Sequence, residues 1–407
     1  MNKQHYITTT IIGIALFLIS TGLSFAGFSL ASKTEKKVLP SGGILTNTSG
    51  SNNQAHFVID PSVPRTEMCP LNGIMYTKQE KAVWDTRRPI AAMIENHVEA
   101  RPQSGLSLAD IVYESVVEGG ITRFEGIFFC GISSRNLTLA PVRSARTFYL
   151  PWVLEYDALY NHVGGAGVCS DVTVDERAKA LCQIDQYKIK DMDQFGLPLK
   201  TTDKSGKKIY VCSRNPDRLG REVATEHTMT CTTDGLYAFA ESDRGWTNVD
   251  EKGVSWDKNF VPWKFKDEPK AEDRGTATSI TFAAWKGYEK DYGVRWDYDK
   301  ATNVYKRFNG GSPHTDLETK QQLSAKSIVI LYAKEIGPVD DHGHLLYNNI
   351  GNGDGILFQD GKSEKITWTK ATRNARTKFI DAKGKEVVFS RGQIWIEQLP
   401  IGTPVEY

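Results

Sequence analysis

The segments RPIAAMIEN (88–96), ARPQSGLSLADIVYE (100–114), EGGITRFEGIF (118–128), PVRSAR (141–146) and HVGGAG (162–167) follow one another closely in the chain. Short apolar runs alternate there with clusters of Gly, Arg, Glu, Asn and His, the pattern of a buried sheet whose strand ends carry a polar site. Ile90 to Ile94 is an unbroken apolar run that leads into Glu95, Asn96 and His97, which reads as a strand buried on both faces. DIVYESVV (110–117) and TRFEGIFF (122–129) supply two more strands. Gly119-Gly120 between them permits the positive φ of a tight turn, so a hairpin is expected.

Downstream, Ser144 has the chemistry of an N-cap for a helix beginning at Ala145, and Pro151 must break or kink that helix within two turns. A helix start flanked by Arg143 and Arg146 suggests an anion pocket; the competing reading pairs these arginines with Glu114, Glu118 or Asp157. DALYNH (157–162) reads as a strand entering the glycines 164–167, and Thr173 with Glu176 has capping-box spacing before a helix carrying Ala178, Leu181 and Cys182 on one face. GGAG lacks both the full dinucleotide fingerprint and the lysine of a phosphate loop, which favours a turn with close packing. His162 beside it has acid–base chemistry available, although a lone histidine is more often a hydrogen-bonded structural group.

Working outward, a chain of 407 residues has room for two domains, and 50 basic against 49 acidic residues create no global field to attract nucleic acid. Tyr6 to Ser32 carries no charge and is long enough to cross a bilayer. It reads either as a cleaved signal sequence, with Ser29-Leu30-Ala31 as the cleavage site, or as an uncleaved anchor, which its length favours. Both place the remainder outside the cytoplasm. Residues 33–68 are Ser-, Asn-, Gly- and Pro-rich, a flexible linker. Six cysteines, at 69, 130, 169, 182, 212 and 231, then read as disulfides, their pairing open. No Cys-x-x-Cys and no histidine pair at the helical interval is present, so no metal and no cofactor is expected.

The cysteines mark residues 69–245 as an α/β domain with a mixed sheet. From 257 to 407 the pattern becomes short strands and turns: GVRWDY, VYKRF, SIVILY, GILFQD, KITWT, TKFID, EVVFS and IWIEQ. The fold class expected is α+β, with a mainly β second domain built as a sandwich or partly open barrel. Asn309 to Asp316 and Asp340 to His344 are its polar loops; a shared metal through their His and Asp residues is the alternative to plain hairpin tips.

Taken together, Arg88-Pro89 with Asn96, Ala100 to Leu106, Ala109 to Glu114, Glu118 to Phe124, Pro141 to Arg146 and Asp157 to Gly165 resemble the DUF3048 family of YerB-like bacterial envelope lipoproteins. The likeness continues through Glu226-His227 and the Asn309 to Asp316 loop, covering most of residues 70–400. It implies an envelope protein with two successive family domains and implies no activity. The chain departs from the lipoprotein pattern in that no cysteine closely follows the N-terminal run.

The reading that results is a membrane-tethered extracytoplasmic envelope protein, more a binder than an enzyme. Its ligand would be anionic, a wall polymer or a peptide carboxylate. Asn96, Arg101, Glu118, Arg123, Arg143, Ser144, Arg146 and His162 would hold it, with Asn309, His314 and Asp316 as a secondary loop. Two alternatives stand beside it: a docking scaffold for another envelope protein through residues 257–407, and a glycan hydrolase using Glu95, Glu114 and Glu118.

Overall fold

The computed structural model describes residues 56–276 and 279–407. The anchor or signal sequence and the linker up to residue 55 lie outside the described residues, among which no helix is long and apolar enough to cross a membrane. The last part of the linker is already held: the His56 backbone N–H donates to the Ser134 carbonyl at 2.8 Å, and its ring meets Asp234 at 2.8 Å.

An 11-stranded mixed sheet organises the rest. From edge to edge it runs Lys378–Asp381, Lys362–Lys370, Gly351–Gln359, Ser327–Ile336, Ile394–Pro400, Ile111–Val116, Thr122–Phe128, Ile90–Glu95, Leu159–His162 and Lys190–Asp193, with Leu346–Asn348 pairing onto the end of Ser327–Ile336. The last strand of the chain, Ile394–Pro400, lies between the two halves and parallel to both neighbours, Ile394 facing Ser327 on one side and Ile111 on the other. The boundary expected between 245 and 257 divides the sequence, while the strands on either side of it share this one sheet, and the described residues pack as one unit.

Both faces of the sheet are covered, which is why its central strands are apolar on both sides. Ala91, Met93, Ile111 and Tyr113 face a core containing Trp84, Trp152, Val153 and Trp263. Ile90, Ala92, Ile94 and Val112 face the opposite core, with Leu236 and Phe239 of the helix Thr233–Arg244. A smaller antiparallel sheet of Ser279–Phe282, Val294–Asp299, Val304–Asn309, Ser312–Pro313 and Ser324–Ala325 also packs on that side through Ile280, Val294, Trp296 and Tyr305. The class is α+β as expected. The second half is open and layered, with no closed barrel.

The expected hairpin forms, Val116 pairing with Thr122 around Gly119 and Gly120, whose φ angles are 69° and 73°. Two helix starts differ from expectation. The helix after PVRSAR spans Leu150–Glu155, with Tyr149 at its N-cap and Pro151 in its first turn, where the missing N–H costs nothing. Ser144 therefore caps no helix. The helix expected from Thr173 begins only at Ala180, because the Asp175 carboxylate takes the Arg177 backbone N–H in a local turn that competes with helix. A capping box does form, at Thr77 and Glu80 of the helix Lys78–Trp84.

The cysteines pair as Cys69–Cys130, Cys169–Cys182 and Cys212–Cys231. The first closes a loop of sequence separation 61 beside Asp110, whose buried carboxylate receives Asn72 Nδ2 at 2.6 Å and the Phe129 and Gly131 backbone N–H groups at 2.6 and 3.2 Å. Opening a loop of this length costs about 2–4 kcal/mol. The Cys69→Ala/Cys130→Ala protein is accordingly expected to unfold at lower urea by that equivalent. An unchanged midpoint would mean that the Asp110 hydrogen bonds alone hold the loop.

Candidate functional site

Glu114 and Glu397 occupy the same level of adjacent parallel strands and are both buried. Arg307, reaching across from the smaller sheet, puts Nη2 2.5 Å from Glu114 Oε2. Its guanidinium is enclosed by three rings, 5.0 Å from the Trp395 centroid and 5.5 Å from those of Phe124 and Trp296. Both indoles donate to the acids: Trp395 Nε1 to Glu114 at 3.3 Å and Trp296 Nε1 to Glu397 at 3.1 Å. Burial and the adjacent Glu114 carboxylate hold the Glu397 carboxyl well above its ordinary range, so it keeps its proton and hydrogen-bonds to Glu114.

From this pair a closed ring of hydrogen bonds runs through the motif residues. Thr122 Oγ1 donates to Glu114 Oε1 at 2.6 Å, and Asn96 Nδ2 to Thr122 Oγ1 at 2.6 Å. Gln103 Nε2 donates to Asn96 Oδ1 at 3.1 Å. His314 lies 2.6 Å from Gln103 Oε1 through Nε2 and 2.8 Å from Arg307 Nη1 through Nδ1. Burial, then the charges of Arg307 and Arg101, push the His314 pKa well below its ordinary value. The neutral ring therefore accepts from Arg307 at Nδ1 and donates to Gln103 from Nε2, which closes the ring with a donor and an acceptor at each link. The adjoining cavity is only about 10 Å³, room for a single water. This is a lock between the two halves.

The ligand residues expected from sequence divide between this lock and its rim. Asn96 and His314 are members of it, and Arg101 donates to Asn96 Oδ1 at 3.0 Å. Asp316 fixes the loop after Gln103, accepting from the Gly105 and Ser107 backbone N–H groups at 2.9 and 3.0 Å. Asn309 is buried with neither side-chain polar atom partnered. His162 is buried apart from these, between Asp191 and the Gly164 carbonyl, each at 2.8 Å, in a structural role. Gly165 packs against Leu181 and Ala145, where a Cβ would meet atoms at 3.0 and 3.2 Å, so the glycine turn serves close packing. The loops 309–316 and 340–344 share no His/Asp group among the described residues; His344 pairs with Asp340 of its own loop at 2.8 Å.

At the rim the arginines gather. Arg143 Nε lies 3.0 Å from Glu95 Oε1, an ion contact lacking hydrogen-bond geometry. Arg146 grips Glu118 with two bonds of 2.5 and 2.8 Å, and Arg123 Nη1 donates to the Ser144 carbonyl at 2.6 Å. Asp157 is taken by Arg88 and Lys190 instead. Burial first, then the neighbouring arginines, pull the Arg123 pKa down to about 10, so it stays charged at neutral pH. Burial alone would raise the Glu118 carboxyl, but the bonds and charge of Arg146 bring it below its ordinary value. The hydrolase candidates Glu95, Glu114 and Glu118 are thus each held by an arginine. Sequence reading missed Arg307 and Glu397. The signals were there: a charged residue at an inward position opposite Trp296, and an acid inside the apolar run IWIEQ.

Two family models match the chain: "Protein of unknown function (DUF3048) N-terminal domain" over residues 73–228 and the corresponding C-terminal domain over 283–396. YerB of Bacillus subtilis (strain 168), provisionally named a lipoprotein, is 28% identical over 84% of this chain and 88% of its own length. The crystal structure of Bacillus subtilis YerB superposes with a TM-score of 0.62 at 25% identity, covering 84% of this chain and all of that one. The chain belongs to the DUF3048 family.

Removing one partner of a buried ion pair costs about 3–5 kcal/mol, and Arg307→Leu is expected to lose that much by urea unfolding; a loss under about 1 kcal/mol would show that Glu114 is satisfied otherwise. Glu397 gives a pH test. A carboxyl with a raised folded-state pKa keeps its proton where the unfolded chain, at about 4.3, has released it, so its contribution falls as pH climbs above that value. Glu397→Gln is expected to flatten the decline in stability between about pH 5 and 8 relative to wild type. An identical pH profile would mean that Glu397 ionises in the folded protein.

Proposed function

We propose that this DUF3048 protein is a membrane-tethered, non-enzymatic binder of the bacterial envelope that takes an anionic ligand, a wall polymer or a peptide carboxylate, at its arginine rim. The observation carrying this is the convergence of Arg123, Arg143 and Arg146 beside Glu95 and Glu118, with the Glu226 carboxylate also near Arg143. Two of these guanidinium groups reach solvent, the Arg143 and Arg146 side chains being 25% and 13% exposed. A guanidinium held in place by neighbouring carboxylates is preorganised to donate to the oxygens of an incoming anion. The apolar N-terminal run and the lipoprotein naming of YerB support the envelope setting.

The test is cosedimentation of the full chain with purified cell-wall sacculi. Wild type is expected to bind, and to release as salt is raised from about 50 to about 300 mM, because exposed charge is screened over that range. Arg143→Ala/Arg146→Ala is expected to lose binding while keeping the circular dichroism of the folded protein, at a lower melting temperature because Glu95 and Glu118 lose their ion pairs. Equal binding by both proteins would remove the rim as the site. No binding by either would favour the docking reading, which has its own support in an open groove of about 690 Å³ in the 257–407 half, lined by Tyr332, Asp354, Thr367 and Ile401.

A further inference from the structure

We propose that His97, Glu99 and His227 form a binding site for a divalent transition-metal ion, zinc in the first instance. Each residue offers one donor atom, and the three atoms lie within 4.8 Å of one another. His97 leaves the strand Ile90–Glu95 and caps the short turn Val98–Ala100, while His227 ends the turn Thr225–His227. Their rings stack with centroids 4.7 Å apart and planes 10° from parallel. The proposal departs from the expectation of no metal, which rested on local spacings that a pair so distant in sequence does not show.

The orientation of His227 carries the argument. Its Nδ1 is 2.8 Å from Glu95 Oε2, a carboxylate that can only accept, so Nδ1 holds the hydrogen and the neutral ring has its lone pair on Nε2. Nε2 in turn faces Glu99 Oε2 at 3.6 Å, which sets two acceptors against each other across a gap. Such a gap is closed either by a proton on Nε2 or by a metal ion shared with Glu99. Two ligands about 2.0–2.1 Å from a tetrahedral zinc stand roughly 3.3–3.4 Å apart, so a small movement of Glu99, whose side chain is 56% exposed, brings it and His227 onto one ion; the half-buried His97 must also turn out of its parallel stack, because a metal lies in the plane of each imidazole that binds it. A histidine whose second nitrogen donates to a carboxylate is the usual outer-shell arrangement of zinc ligands, and here Glu95 fills that role. Besides its stack on His227, His97 accepts from the Glu99 backbone N–H through Nδ1 at 3.3 Å, a long contact that a metal would displace. Two imidazoles and one carboxylate select zinc and its neighbours over magnesium or calcium, and three protein ligands leave one position open. All cysteines are in disulfides, so no thiolate competes.

The site stands independently of the arginine rim. Its test uses the untagged full chain, stripped with chelator, desalted and titrated with Zn²⁺ against a fluorescent competitor, and with Co²⁺ followed by visible absorption. A single equivalent is expected, undisturbed by excess Mg²⁺, with Co²⁺ giving the bands of a low-coordinate nitrogen–oxygen site. His97→Ala and Glu99→Gln should each weaken binding by at least about tenfold with unchanged circular dichroism, while His342→Ala, an exposed histidine elsewhere, should bind as wild type does. Failure of wild type to take up a stoichiometric ion would overturn the proposal and leave a proton on His227, bridging Glu95 and Glu99. Wild-type affinity in His97→Ala would overturn it as well.

Discussion

The ion pair between Arg307 and Glu114 is the constraint on which the rest of the structure depends. Each partner comes from a different half of the chain, both are buried, and neither could be left alone in an apolar interior without a penalty of several kcal/mol. Arg307 enters at the level of Trp296 and Trp395, so both indole N–H groups are spent on the neighbouring acids and the rings wall off the guanidinium. A polar lock of this kind specifies register. A one-residue slip of Ile394–Pro400 would turn Glu397 to the other face of the sheet and set Ile396 or Gln398 against Glu114.

Because that last strand is parallel to both neighbours, the sheet cannot be completed until the C-terminus of the chain has arrived. The halves contribute Ile111–Val116 and Ser327–Ile336 as strands with no other partner on that side, edges that would otherwise be open to pairing with another chain. The two family domains are therefore halves of one folding unit. Their sequence boundary is real in composition, and the strand and the lock erase it in space.

What sequence disclosed and what it hid follow from the range of the interactions. The strands of 88–128 were legible because burial on both faces leaves an apolar run with Gly-rich turns. Helix starts failed where a local competitor prevailed: Pro151 set the start near Tyr149 rather than Ser144, and the Asp175 side chain captured the backbone that Thr173 was expected to cap. Site residues were recognised one by one but not sorted, since nothing local says that Asn96 turns into a buried ring while Arg143 stays at the rim. Arg307, Glu397 and the pairing of His97 with His227 depend on contacts between distant segments, which no spacing rule encodes.

Glu95, Asn96 and His97 show how one strand end serves both purposes. Glu95 meets Arg143 and His227, Asn96 joins the lock through Thr122 and Gln103, and His97 stacks on His227 at the surface. Asn96 is fully buried with donors and acceptors matched on several sides, so the backbone on either side of it has little freedom. The positions of Glu95 and His97 are thus inherited from an assembly that reaches across both halves of the chain. A binding site gains most when its groups are fixed before the ligand arrives, because less ordering remains to be done on binding. The rigid buried ring, itself too closed to admit a ligand, is then the support that holds the half-buried imidazole and guanidinium groups beside it in place.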